Sequence, residues 1–166
     1  MKELLIRNQR CLGCRSCELA CAVEHSLGRT LATAVNETPR PRYRVHVAAS
    51  GGDCLPLQCR NCEEAACLNA CLTGALDRDE RGIVVCTEDL CIGCLMCIMV
   101  CPFGVITIDP DSRHVIKCDR CPEREEPACV AACPTGALVY REVSEATRDR
   151  RRAVLEELRG SLDGAD

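Results

Sequence analysis

Cysteine is the residue type in this chain that could do chemistry, and its spacing says which chemistry. Cys91, Cys94, Cys97 and Cys101 fall within eleven residues as C-x2-C-x2-C-x3-C, with Pro102 next. This is the spacing of a [4Fe–4S] ligand run. Three closely spaced thiolates can cap three corners of one iron–sulfur cube. The fourth lies too far along the following helical turn and ligates a second cube. One run therefore implies a partner run, and the chain carries three more: Cys11-x2-Cys14-x2-Cys17-x3-Cys21, Cys59-x2-Cys62-x4-Cys67-x3-Cys71 and Cys118-x2-Cys121-x7-Cys129-x3-Cys133. Pro134 follows the last run, while Ala22 and Leu72 stand at that place in the first and second.

The runs account for 16 of the 18 cysteines. Structural zinc usually pairs one C-x2-C with a distant second pair or with histidines. Here two runs put three cysteines within seven residues, and the three histidines (His25, His46, His114) are isolated and carry no assigned role. A disulfide scaffold would need an oxidising compartment. Two cysteines remain. Cys86 ends the apolar segment Ile83-Val84-Val85 and is expected as a buried free thiol that packs like a small hydrophobe. Cys54, in a Gly- and Pro-rich stretch expected as loop, is read as spare.

Composition agrees with a metal-built interior. The 47% apolar content falls to about a third without the cysteines, and there is no Trp, one Phe and two Tyr. Aromatic side chains normally supply much of a core's buried area, so the clusters must substitute for them. Net charge is −4 with thiols neutral, and thiolates make it more negative, which argues against a nucleic-acid partner. The basic stretch Arg40 to Arg44 reads as a solvated face or a partner contact. No G-x-G-x-x-G or Walker-type loop appears. No secretory or twin-arginine segment is visible near the start, and no apolar run approaches the ~18 residues of a membrane span. Dense cysteines of this kind fit a reducing cytoplasm, the expected location.

The elements that must hold these runs are short. Residues 1–8 form a strand leading into the first run, and residues 42–47 alternate as a half-buried strand with Tyr43, Val45 and Val47 on one face. Gly51-Gly52-Asp53 is a turn. Residues 75–86 and 105–117 read as hairpins, and residues 137–140 as a closing strand. Cys71, Cys101 and Cys133 are each followed three residues later by glycine (Gly74, Gly104, Gly136), at intervals of 30 and 32 residues. This marks an internal repeat of run, glycine turn and strand. Such glycines are expected where a side chain would collide or φ must be positive. From Ser144, a plausible N-cap, to Gly160, a plausible stop, the chain reads as a charged helix. Its narrow apolar stripe of Ala146, Ala153, Val154, Leu155 and Leu158 either lies on the domain or docks another subunit.

The four-run pattern over residues 11–140 resembles the four-cluster ferredoxin-type subunits of molybdenum and tungsten oxidoreductases, hydrogenases and CO dehydrogenases. The opening Cys-Leu-Gly-Cys-Arg-Ser-Cys-Glu-Leu-Ala-Cys looks most like the small branch that includes the partner of nickel CO dehydrogenase and the ferredoxin-like subunit of tungsten aldehyde oxidoreductase. The resemblance implies an α+β, loop-rich fold of two ferredoxin-like units nested in sequence, runs one with four and two with three. It implies four [4Fe–4S] clusters, with ligand sets Cys11, Cys14, Cys17, Cys133; Cys118, Cys121, Cys129, Cys21; Cys59, Cys62, Cys67, Cys101; and Cys91, Cys94, Cys97, Cys71. It also implies a cluster domain over 1–141, containing an insertion at 22–58, and a charged helix and tail over 142–166. The implied function is non-catalytic: an electron-transfer subunit relaying single electrons between a catalytic redox subunit and an acceptor. A free diffusible carrier, a small iron–sulfur enzyme and end-to-end self-association are the rival expectations.

Overall fold

The first and last strands of the cluster region meet. In the computed structural model, which describes residues 2–163, β1 (Lys2–Ile6) pairs antiparallel with β8 (Leu138–Glu142), so that Leu5 faces Val139. Segments more than 130 residues apart are thereby joined. Between them the chain makes three further two-stranded ribbons: β2 (Val45–Ser50) with β3 (Asp53–Gln58), β4 (Leu76–Arg78) with β5 (Val84–Cys86), and β6 (Thr107–Ile108) with β7 (Val115–Ile116). Gly51 and Gly52 both adopt positive φ, +59° and +92°, as a tight two-residue hairpin turn requires.

Each cysteine run carries one helix. These are α1 (Ser16–Glu24), α3 (Ala66–Asn69), α4 (Met96–Met99) and α5 (Ala128–Ala131), with α2 (Leu31–Asn36) in the 22–58 segment. Three of the four are only four residues long, and beyond the fourth cysteine the glycine three places on turns the chain at φ near +60° to +70°. A β-carbon on Gly74, Gly104 or Gly136 would meet nothing within 4 Å, so of the two reasons considered for these glycines, the positive φ is the operative one. The first run has Glu24 there, and α1 continues through it.

Two small cores result. One gathers Leu4, Val45, Val47, Val130 and Leu138 around Cys17, Cys21 and Cys129. The other gathers Leu76, Val84, Ile106 and Val115 around Cys97. Helix α1 lies on α5, and α3 on α4. Short antiparallel ribbons and helices without a continuous sheet make this an α+β, loop-rich architecture.

Several expectations need correction. The strand over 42–47 begins three residues later, at Val45, and Tyr43 ahead of it stands edge-on to the His46 ring, with centroids 5.3 Å apart. The stretch around Cys54 is strand β3 rather than loop. Arg42 and Arg44 are engaged within the chain: Arg42 approaches Asp109 and Asp111 at 4.0 and 3.8 Å, and Arg44 Nη1 donates to Asp119 at 2.7 Å. The terminal helix, α6 (Val143–Asp163), starts directly from β8, so Ser144 lies inside its first turn and Gly160 does not stop it. Its apolar stripe divides. Ala146 and Ala153 are partly covered, while Val154, Leu155 and Leu158 are 37%, 59% and 57% exposed. Among the described residues, no helix is long and apolar enough to cross a membrane.

Candidate iron–sulfur centres

The same backbone device opens every run. The residue just before each second cysteine, Gly13, Asn61, Gly93 or Arg120, has positive φ, between +46° and +67°. This left-handed step curls the chain so that the first two sulfurs turn toward a common point. The third cysteine then sits at the second position of the run's helix, as Cys17, Cys67, Cys97 and Cys129.

Three cavities lie where these loops curl. One is lined by Cys59, Cys62, Cys67 and, from the third run, Cys101. A second is lined by Cys11, Cys14, Cys17 and, from the fourth run, Cys133. A third is lined by Cys91, Cys94, Cys97 and, from the second run, Cys71. The remaining four also converge. Burial pushes the Cys21 thiol up to about 12, and charge on Cys118 or Cys121 pushes the same way. Cys129 is driven above the ordinary thiol range by burial and then by Cys118, Cys21 and Cys121.

Electrostatic neighbours link the groups. Charge on Cys17 opposes ionisation of Cys129, charge on Cys59 opposes that of Cys118, and charge on Cys67 opposes that of Cys97. Thiols of different groups thus feel one another's charge. Of the eighteen cysteines, those that are solvent-exposed are Cys14 in the first run and Cys94 in the third.

The donor set suits thiolate ligation. Backbone N–H groups point at sulfur: Ala137 N to Cys133 at 3.2 Å, Leu76 N to Cys71 at 3.4 Å, Arg44 N to Cys21 at 3.2 Å, and Asn61 N to Cys59 at 3.4 Å. Burial opposes ionisation of Cys71 and Cys133, but these donors and the Thr73 and Thr135 hydroxyls outweigh it and hold both thiols below the usual range. Cys17, Cys97 and Cys118 go the other way, to about 11, chiefly by burial. Such thiols give up their protons only to a cation that replaces them.

Around the buried Cys118/121/129/21 group lies a polar layer that the spacing of cysteines does not announce. His25 Nδ1 donates to Cys21 O at 2.7 Å and lies 3.7 Å from Cys21 Sγ. Its Nε2 reaches both Asp119 oxygens at 3.3 Å, and Asp119 in turn receives Arg44 and the Cys121 N–H at 3.0 Å. Burial alone would raise the Asp119 carboxyl, yet His25 and Arg44 hold it well below the usual carboxylate range. His25 is therefore not isolated. Its signal in the sequence is the four-residue spacing from Cys21, one helical turn.

Neither spare cysteine lines one of the three cavities, but Cys86, half-buried rather than buried, lies against the Cys71/91/94/97 group and shares a hydrogen bond with Cys91. Cys86 pairs with Leu76 in the β4–β5 ribbon, packs against the second core, and is raised to about 12 by burial and then by Cys91. Cys54 pairs with Ala49 and packs against the first core.

Residues 52–143 match the family model of a 4Fe-4S dicluster domain, and residues 8–24 that of a 4Fe-4S binding domain. The sequence is similar to an iron-sulfur protein of Rhodospirillum rubrum, 44% identical over 144 residues that cover 77% of this chain and 75% of the relative. It is similar to electron transport protein HydN of Escherichia coli K12, 38% identical over 146 residues, covering 78% and 82%. It is also similar to a component of the anaerobic dimethyl sulfoxide reductase of the same organism, 35% identical over 159 residues, covering 84% and 73%. Cysteine-lined cavities with N–H donors aimed at sulfur, set beside these matches, place the chain in the 4Fe-4S dicluster domain family, as an iron–sulfur protein whose cofactors are [4Fe–4S] clusters.

Proposed function

We propose that this chain is the non-catalytic electron-transfer subunit of an oxidoreductase complex, relaying single electrons along a row of four [4Fe–4S] clusters. The ligand sets are Cys11, Cys14, Cys17 with Cys133; Cys118, Cys121, Cys129 with Cys21; Cys59, Cys62, Cys67 with Cys101; and Cys91, Cys94, Cys97 with Cys71. Runs one and four make the outer unit and runs two and three the inner one, within a cluster domain over 1–141. The observation that carries the reading is that each of three cavities takes three cysteines from one run and the fourth from its counterpart.

When bound, each cluster supplies one-electron chemistry and, with four thiolates in place, presents no open iron to a substrate. The chain's own contribution is insulation and access. Buried Cys21, Cys121, Cys129 and Cys59 keep water from the middle of the row. Cys14 and Cys94 bring its ends to the surface, where one end faces a catalytic subunit and the other an acceptor. The partner we assign is a redox metalloenzyme of the CO dehydrogenase or molybdenum and tungsten aldehyde or formate oxidoreductase kind. A free carrier needs only one accessible end, and the two exposed ends favour a relay between two bodies.

Iron and sulfide analysis of anaerobically purified protein tests the cofactor count, since four clusters require about 16 iron atoms per chain. A content near half that value overturns the four-cluster reading. Purification from native cells tests the partner: a metalloenzyme subunit should accompany the chain, and its consistent isolation alone would favour the carrier.

A further inference from the structure

Lys117 is buried, at 5% exposure, and its ammonium has no carboxylate within ion-pair distance among the described residues. Its three donor bonds go to neutral oxygens: Asn61 Oδ1 at 3.2 Å, Cys118 O at 3.0 Å, and the carbonyl of Val84. These contacts satisfy its hydrogens but do not neutralise its charge. A buried cation is normally paired, because hydrogen bonds to neutral groups do not replace the solvation lost. The missing anion must lie close by. Lys117 lines the cavity shared by Cys59, Cys62, Cys67 and Cys101, whose thiolates and cluster can supply that counter-charge.

We propose that Lys117 is the built-in counter-ion of the cluster site formed by Cys59, Cys62, Cys67 and Cys101, and that its fixed charge raises that site's reduction potential. This inference rests on the four-cluster reading. A reduced cluster carries one more negative charge than an oxidised one, so a nearby fixed cation favours the reduced form, and net charge is among the factors that set these potentials. The sequence around the site fits the assignment. Asn61 occupies the left-handed position that glycine holds in the first and third runs, at φ +46°. Asparagine tolerates that conformation and adds the side-chain oxygen that accepts from both Lys117 Nζ and Val84 N. The field of Lys117 also reaches Cys67, where it works against the rise that burial causes. Because Lys117 directly precedes Cys118, it stands between the two middle groups of the row. Raising one of them creates a step at which an electron pauses midway between the two surfaces.

The test is an EPR-monitored redox titration of the full-length holoprotein, beginning with iron and sulfide content. A wild-type protein that lacks four clusters defeats the underlying reading, not this assignment. With four clusters present, Lys117→Gln and Lys117→Met should shift a single midpoint to lower potential, while Lys117→Arg stays near wild type. Loss of one cluster from both neutral variants, with full loading of the bulkier Lys117→Arg, equally supports a charge requirement. A fully loaded neutral variant with unchanged potentials overturns the proposal and leaves Lys117 a structural clip. An Arg variant that behaves like the neutral ones overturns it too.

Discussion

The sulfur of Cys54 lies over Gly13, 2.6 Å from where a β-carbon on that glycine would stand. A cysteine outside every run thus packs the roof of the first cluster loop, and the loop must be glycine there for two reasons, space and its φ of +67°. Gly13→Ala should cost roughly 2–4 kcal/mol, about 1–2 from the left-handed backbone and the rest from overpacking. Adding Cys54→Ala should recover the overpacking share only. Guanidinium midpoints of the holoproteins, followed by far-UV circular dichroism, measure both. A double variant no better than the single would show that Cys54 is not what Gly13 accommodates.

Gly93 occupies the same step of the third run at φ +65°, but there the obstacle is the backbone carbonyl of Arg113, 2.6 Å from a built β-carbon. A carbonyl held in a ribbon turn cannot swing aside as a side chain can. Gly93→Ala should therefore destabilise at least as much as Gly13→Ala. No single side-chain truncation should rescue it, and the same unfolding measurement, with Arg113→Ala as the attempted rescue, checks this.

Asp119 joins His25, just past the first run's helix, to Arg44 of the 22–58 segment beside the buried Cys21. Asp119→Asn should lower stability by about 1–3 kcal/mol, because Arg44 loses a charged acceptor in a poorly solvated place. The sign with pH is fixed by the depressed carboxyl. A group ionising more easily in the folded state stabilises above its unfolded value, about 3.9, and loses that contribution as pH falls through the lower folded value. At pH 7 the whole difference should be present. Equal midpoints of the two proteins at pH 7 would contradict the account.

Much of this is legible from the cysteines and glycines, because both report backbone requirements directly. The run spacing locates α1, α3, α4 and α5 around each third cysteine, Gly74, Gly104 and Gly136 mark the turns that follow three of them, and α2 (Leu31–Asn36), outside every run, goes unannounced. What stays hidden depends on tertiary context. Strand β3 is masked by Pro56, which pairs opposite Val47 in an isolated two-stranded ribbon, where a missing N–H is tolerated as it would not be in a central strand. The start of α6 carries no mark because β8 runs into it without a linker, leaving no residue free to cap. Lys117 and His25 give little sign, since neither belongs to a repeated pattern. Their roles come from burial, which no periodicity in a 166-residue chain of short elements encodes.

Helix α6 contacts β8, where Arg141 pairs with Asp149 at 2.6 Å, and on the helix Ala146 and Ala153 are half-buried. Exposed ion pairs contribute about 0–1 kcal/mol, and two alanines bury little area. Deleting residues 144–166 should leave iron content unchanged and cost only about 1–2 kcal/mol. Loss of a whole cluster on deletion would mean that the helix shields the row, contrary to the outward exposure of Val154, Leu155 and Leu158.

The exchange of fourth cysteines makes a sharper demand than any iron count. If Cys133 completes the site of Cys11, Cys14 and Cys17, whose cavity it lines, then Cys11→Ser and Cys133→Ser damage one cluster. Their combination should lose no more iron than the worse single change, and should remove the same EPR signal. Cys118 sits only fifteen residues before Cys133 in sequence, yet the proposed arrangement assigns it to the neighbouring site. Cys118→Ser with Cys133→Ser should therefore damage two clusters, with losses that add. A local arrangement, each run holding its own cube, predicts the opposite pattern for the same pairs. Iron analysis of the four proteins separates the two arrangements, because only one assigns Cys133 to residues more than a hundred positions away.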